Sequence, residues 1–121
     1  MALHDIAAKC LTNPDQPREY QLALCLACLG GLKFNFLHTP GHTPGSISVY
    51  IDTKDGRVLF GQDIHGPFSP AWGSDLALWR ESMHKLIDLK ADVLCEGHAG
   101  VYRGEEIEEY IESCLERFSS A

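Results

Sequence analysis

Three apolar, strand-like runs in this chain each lead into a glycine-bearing loop that offers a metal-type side chain, and that recurrence restricts the fold more than any other feature. Leu32-Lys33-Phe34-Asn35-Phe36-Leu37 leads into His38-Thr39-Pro40-Gly41-His42-Thr43-Pro44-Gly45-Ser46. Val58-Leu59-Phe60 leads into Gly61-Gln62-Asp63, and Asp92-Val93-Leu94-Cys95 into Glu96-Gly97-His98. In the first loop Pro40 and Pro44 fix φ and lack an N–H, while Gly41 and Gly45 are free to take positive φ. The result is a stiff, irregular loop with an imidazole at its centre. Strands laid side by side bring their ends to one rim, where sheet proteins commonly build sites. His42, Asp63 and His98 are therefore the candidate site, and neutral imidazole with carboxylate suits zinc, iron or manganese.

A chain of 121 residues fits one small domain, spanning 1–121, with a modest core. The formal charge of −7 argues against nucleic acid or an anionic membrane surface as partner. No apolar run approaches the roughly 20 residues that span a bilayer. The opening Met1-Ala2-Leu3-His4-Asp5 lacks the basic start of a signal peptide. Five cysteines is an odd count, so free thiols and a cytoplasmic location are expected. Cys25-Leu26-Ala27-Cys28 has redox-motif spacing but no preceding strand, and reads as small apolar residues on a buried helix.

Along the chain, residues 2–10 read as a short helix, 13–17 as a turn, and 18–29 as a helix ended by Gly30-Gly31. The second of these has no polar face over Leu22 to Leu29, which calls for burial on all sides or a partner surface. Strands are expected at 32–38, 46–52 and 57–61, the last two joined by a hairpin turn at Thr53-Lys54-Asp55-Gly56. Residues 66–73 read as a loop. Ser74 caps the next helix, whose apolar face is Trp79, Met83, Leu86 and Ile87. A strand at 91–95 precedes a final helix from about Glu105, with a stripe of Ile107, Tyr110, Ile111, Cys114, Leu115 and Phe118. The fold class is α/β, with a mixed sheet of about four strands.

From about residue 32 onward the chain resembles the C-terminal half of the metallo-β-lactamase-fold hydrolases, especially the glyoxalase-II-like branch. The residues that carry the resemblance are Thr39-Pro40-Gly41-His42-Thr43-Pro44-Gly45-Ser46, Leu59-Phe60-Gly61-Gln62-Asp63 and Glu96-Gly97-His98. It implies one half of an αβ/βα sandwich. It also implies that His42 ligates a first metal, Asp63 bridges two metals and serves catalysis, and His98 ligates the second metal. Zinc is the expected ion, with iron or manganese as alternatives, and the expected substrate is a small ester or thioester. The family's His-x-His-x-Asp-His signature does not occur in these 121 residues. Leu3-His4-Asp5-Ile6 resembles the helix that follows it, so the chain is expected to begin just past the signature, with His4 a helix residue.

A catalytic zinc generally takes three protein ligands, whereas the resemblance leaves one histidine per metal and one shared carboxylate. Metal binding within one chain is therefore expected to be weak. Activity is expected to need ligands from a homo-oligomer or a chain carrying the N-terminal half. The alternatives are a non-catalytic remnant acting as a binding or oligomerisation module, and a truncated product without independent function. Among other polar residues, His65 either assists at the same rim as ligand or proton carrier or has a simple loop role. His38 finishes a strand and His84 is solvated. Glu105, Glu106, Glu108, Glu109 and Glu112 form a charged helix face, and Tyr102 either lines the pocket near His98 or packs in the core.

Overall fold

The computed structural model describes residues 26–29 and 32–119. Its elements are β1 (Leu26–Leu29), β2 (Leu32–His38), β3 (Ile47–Thr53), β4 (Gly56–Gly61), a 3₁₀ turn (Pro70–Trp72), α1 (Leu76–Asp88), β5 (Val93–Glu96), β6 (Gly100–Arg103) and α2 (Glu105–Arg117). The strands form one sheet in sequential order. Pairing is antiparallel from β1 through β4, parallel between β4 and β5, and antiparallel between β5 and β6. It follows that β2, β4 and β5 run the same way, and their C-terminal ends lie at one edge.

The expected helix over 18–29 is corrected where it is described. Leu26–Leu29 is a strand, paired with β2 from Leu26↔Asn35 to Leu29↔Leu32. Two residues, Gly30-Gly31, separate the closing pair, and a Gly-Gly dipeptide between apolar runs is a hairpin signal as much as a helix stop. The rest of that helix, the helix at 2–10, the turn at 13–17 and the side chains of the Cys25–Cys28 motif lie outside the described residues. Among the described residues the sheet has six strands where about four were expected, because β1 and the four-residue β6 were not read as strands. At the start of α1, Asp75 is the N-cap in place of Ser74: its Oδ1 accepts from the amides of Ala77 and Leu78.

One face of the sheet is covered by both helices. Leu59 and Leu94 from the sheet pack with Trp79, Met83 and Leu86 of α1 and Ile107, Ile111 and Cys114 of α2, all buried. Phe68, Trp79 and Phe118 meet edge-on, with ring centres 4.9 to 5.5 Å apart, a favourable arrangement of their quadrupoles. Burial pushes the Cys114 thiol up, which marks it as a packing residue. Cys95 and Cys114 are both free thiols. No helix among the described residues is long and apolar enough to cross a membrane.

Candidate metal centre

The His42 loop is positioned by α1. Three successive loop carbonyls accept hydrogen bonds from residues in or just before that helix. Pro40 O accepts from Ser82 Oγ at 2.7 Å, Gly41 O from Asp75 N at 2.8 Å, and His42 O from Ser74 Oγ at 2.6 Å. The loop also ties itself together. Thr39 N donates to Ser46 O at 2.9 Å, and the hydroxyls of Thr39 and Ser48 lie 2.9 Å apart. His38 closes the same loop, its Nε2–H donating to Pro44 O at 2.8 Å. It ends β2 and is 8% exposed, so it is a staple of the loop.

The same helix holds the Asp63 loop, since Trp79 Nε1 donates to Ile64 O at 3.0 Å and Ile64 is fully buried. Asp63 sits at φ 47°, a left-handed conformation that aspartate tolerates better than most residues. The turn raises its carboxylate from the end of β4 toward both neighbouring loops. His42 Nε2 lies 3.5 Å from Asp63 Oδ2, and His98 Nε2 lies 3.3 Å from Asp63 Oδ1. His42 and Asp63 are mostly shielded, with 17% and 18% side-chain exposure, and His98 is 72% exposed. The structure therefore brings the three candidate residues to one edge, with one carboxylate oxygen facing each imidazole.

The tautomer of His42 follows from its other nitrogen. Nδ1 hydrogen-bonds to Pro67 O, and a carbonyl only accepts, so Nδ1 carries the hydrogen and Nε2 presents a lone pair to Asp63. A lone pair opposite a carboxylate oxygen is an arrangement that a cation relieves, and a carbonyl on the second imidazole nitrogen is the usual support of a metal-ligating histidine. In type and orientation the donors fit a divalent transition metal. In number they fall short, because each Asp63 oxygen meets one imidazole. Among the described residues no three His, Cys, Asp or Glu side chains already converge on one ion.

Two further residues stand at this edge. Glu96, the last residue of β5, is 3% exposed. Its Oε2 accepts from Ala99 N at 2.8 Å and from the Tyr110 hydroxyl at 3.4 Å. Burial pushes the Tyr110 phenol well above its ordinary range, so it remains a donor. Tyr102 stacks on Tyr110 with ring centres 4.2 Å apart. His65 Nδ1 faces Glu96 Oε1 at 3.3 Å, and the His65 and His98 rings meet edge-on, 5.7 Å between centres. Sequence reasoning placed Glu96 only as the start of a loop. Tyr110 of α2 lies against it, a long-range contact that no local pattern reveals. Trp72, half exposed, lies with its ring 5.4 Å from that of His42. His84 is exposed, as a solvated helix residue.

No family model matches the chain. It is 32% identical over 105 residues to the probable metallo-hydrolase YflN of Bacillus subtilis, covering 70% of this chain and 38% of that protein. It is 28% identical over 93 residues to the metallo-β-lactamase fold-containing protein ST1585 of Sulfurisphaera tokodaii, covering 74% and 35%. The solved structure of ST1585 superposes with a TM-score of 0.57 over 73% of this chain. The Rm3 metallo-β-lactamase superposes at 0.62 over 78% of this chain and 46% of its own, with 21% identity, a likeness of fold. The chain thus spans less than half the length of these relatives.

Proposed function

We propose, from the premise that this chain belongs to the metallo-β-lactamase superfamily, of whose sandwich it carries about one half, that His42, Asp63 and His98 are one side of the metal centre of a hydrolase. The observation that carries the reading is the Asp63 carboxylate, which offers one oxygen to each of two imidazoles at the common end of β2, β4 and β5. His42 and His98 would hold one ion each and Asp63 would lie between the two. Zinc suits this donor chemistry, as do iron and manganese. Such an ion, when bound, supplies electrophilic polarisation of a substrate oxygen at neutral pH.

The chain's own residues bind and orient. Pro67 O fixes the His42 ring, α1 fixes the loop beneath it, and the exposed Trp72 ring provides an apolar wall beside His42. This open, partly aromatic edge suits a small acyl substrate, an ester or thioester, in the manner of the glyoxalase-II-like branch. The remaining donors would come from a second polypeptide segment, either an N-terminal-half partner or another copy of the chain. Zinc titration by calorimetry tests the reading. The unaltered chain is expected to bind zinc, and His42→Ala and His98→Ala each to weaken binding at least about tenfold. Less than about a tenth of an ion per chain after zinc loading would defeat it.

A second reading has support of its own. No three donors converge among the described residues, which suits a non-catalytic binding or oligomerisation module that keeps the fold without holding metal. Zinc-independent self-association with no hydrolysis of ester or thioester probes would favour it.

A further inference from the structure

We propose that His65, facing the buried carboxylate of Glu96, is an additional imidazole donor to a divalent transition metal at this edge, beside His98; the inference rests on the metal-centre reading above and extends its donor set. The starting point is an unsatisfied group. The Glu96 side chain is completely buried, and Oε2 is satisfied by Ala99 N and the Tyr110 hydroxyl. Oε1 has no aligned hydrogen bond, nor has His65 Nδ1, although the two atoms face each other at 3.3 Å. Leaving one oxygen of a buried carboxylate unpaired is costly. Capping of the 97–99 turn uses Oε2 alone, so it gives no reason for Oε1 to be where it is.

A carboxylate accepts and does not donate, so the imidazole nitrogen opposite it is the one that bears hydrogen. His65 Nε2 is then left with a free lone pair. A carboxylate behind one nitrogen and a free lone pair on the other is the supporting arrangement of metal-ligating histidines, and His42 shows its counterpart with Pro67 O. Spacing agrees. Two imidazoles on one tetrahedral ion, with nitrogen about 2 Å from the metal, hold their ring centres roughly 5 Å apart, and the His65 and His98 rings are 5.7 Å apart. Asp63 Oδ1 already lies 3.3 Å from His98 Nε2. The three donors do not yet converge on one point, and His98, the most exposed of them at 72%, is the one with most room to turn.

Cobalt(II) serves as the probe, titrated into the full 121-residue chain and followed by visible absorption and proton NMR. In the unaltered protein, the His65 ring protons are expected to show paramagnetic shifts as large as those of His98. His65→Ala is expected to weaken cobalt binding at least about tenfold and to alter the absorption band, and Glu96→Gln to weaken it about tenfold with His65 still present. Unshifted His65 protons, or a His65→Ala variant with unchanged affinity and spectrum, would overturn the inference. If His98→Ala then still abolishes binding, the metal-centre reading survives alone. A chain that binds no cobalt at all overturns both.

Discussion

Gly41 and Gly45 occupy equivalent places in the repeated Thr-Pro-Gly, yet the fold treats them differently. Gly41 has φ 151°, and a Cβ there would lie 2.3 Å from the Cβ of Trp79. Around Gly45 a Cβ would meet nothing within 4 Å. One glycine lets the loop backbone lie directly on α1, and the other stands in open space. Gly41→Ala is expected to cost about 3 kcal/mol in urea unfolding, through overpacking against a backbone that has no room to give. Gly45→Ala is expected to stay within about 0.5 kcal/mol of the parent. Because the three carbonyls around Gly41 also fix His42, the first variant is expected to lose metal affinity along with stability.

Among the elements, α1 does most to assemble the site, since its residues hold the His42 loop through Ser82 and Asp75 and the Asp63 loop through Trp79. The other end of α1 is tied to the sheet by Arg57 of β4. Its guanidinium donates to Leu89 O at 2.9 Å, grips Asp52 of β3 at 2.6 and 3.1 Å, and lies over the Tyr50 ring. A cation on the last carbonyls of a helix is favourable both as a cap and toward the dipole. The hydrogen bond from Arg57 holds the Asp52 carboxyl below its usual range. A lowered folded-state value means that this stabilisation is fully present above the ordinary aspartate range and is lost as pH falls through the folded value. Asp52 is more than half exposed, so the pair is worth about 0.5 kcal/mol. Asp52→Asn is expected to unfold slightly earlier than the parent in urea at pH 7, with the difference vanishing in strong acid; a gap that widens on acidification would contradict the pairing.

For the molecule as a whole, the sheet face turned away from α1 and α2 sets the main constraint. Register places Phe36, Val49, Phe60, Cys95 and Val101 in one row across β2 to β6. Phe36 is buried, whereas Phe60 is 42% and Val101 56% exposed. A sheet apolar on both faces belongs in the middle of a layered structure, which agrees with a fold carried in part. The exposed end of this row is therefore expected to drive association. Light scattering at micromolar concentration is expected to show self-association of the parent chain that Phe60→Ser with Val101→Ser reduces, the far-UV spectrum being retained. A monodisperse parent indistinguishable from the double variant would mean that the face needs no cover.

Much of this was legible one residue at a time. The alternation in 46–52, the Asp55-Gly56 hairpin, the faces of α1 and α2, and three donors at strand exits all follow from periodicity and turn chemistry, which act over a few neighbouring residues. Where two short-range signals competed, as in Leu26-Ala27-Cys28-Leu29 before Gly30-Gly31, pairing with β2 decided for strand. β6 was too short to show alternation, and its strand state comes from Cys95↔Val101 and its neighbours. Ser82, a polar residue beside an apolar stripe, makes sense only once Pro40 O, 42 positions earlier, lies against it. Glu96 and His65 stand at the same edge because the parallel β4–β5 pair sets their loops side by side and Tyr110 of α2 reaches over to Glu96. Local chemistry determined which side chains are capable of binding; only long-range packing, which removes water and brings distant atoms together, decided which of them meet.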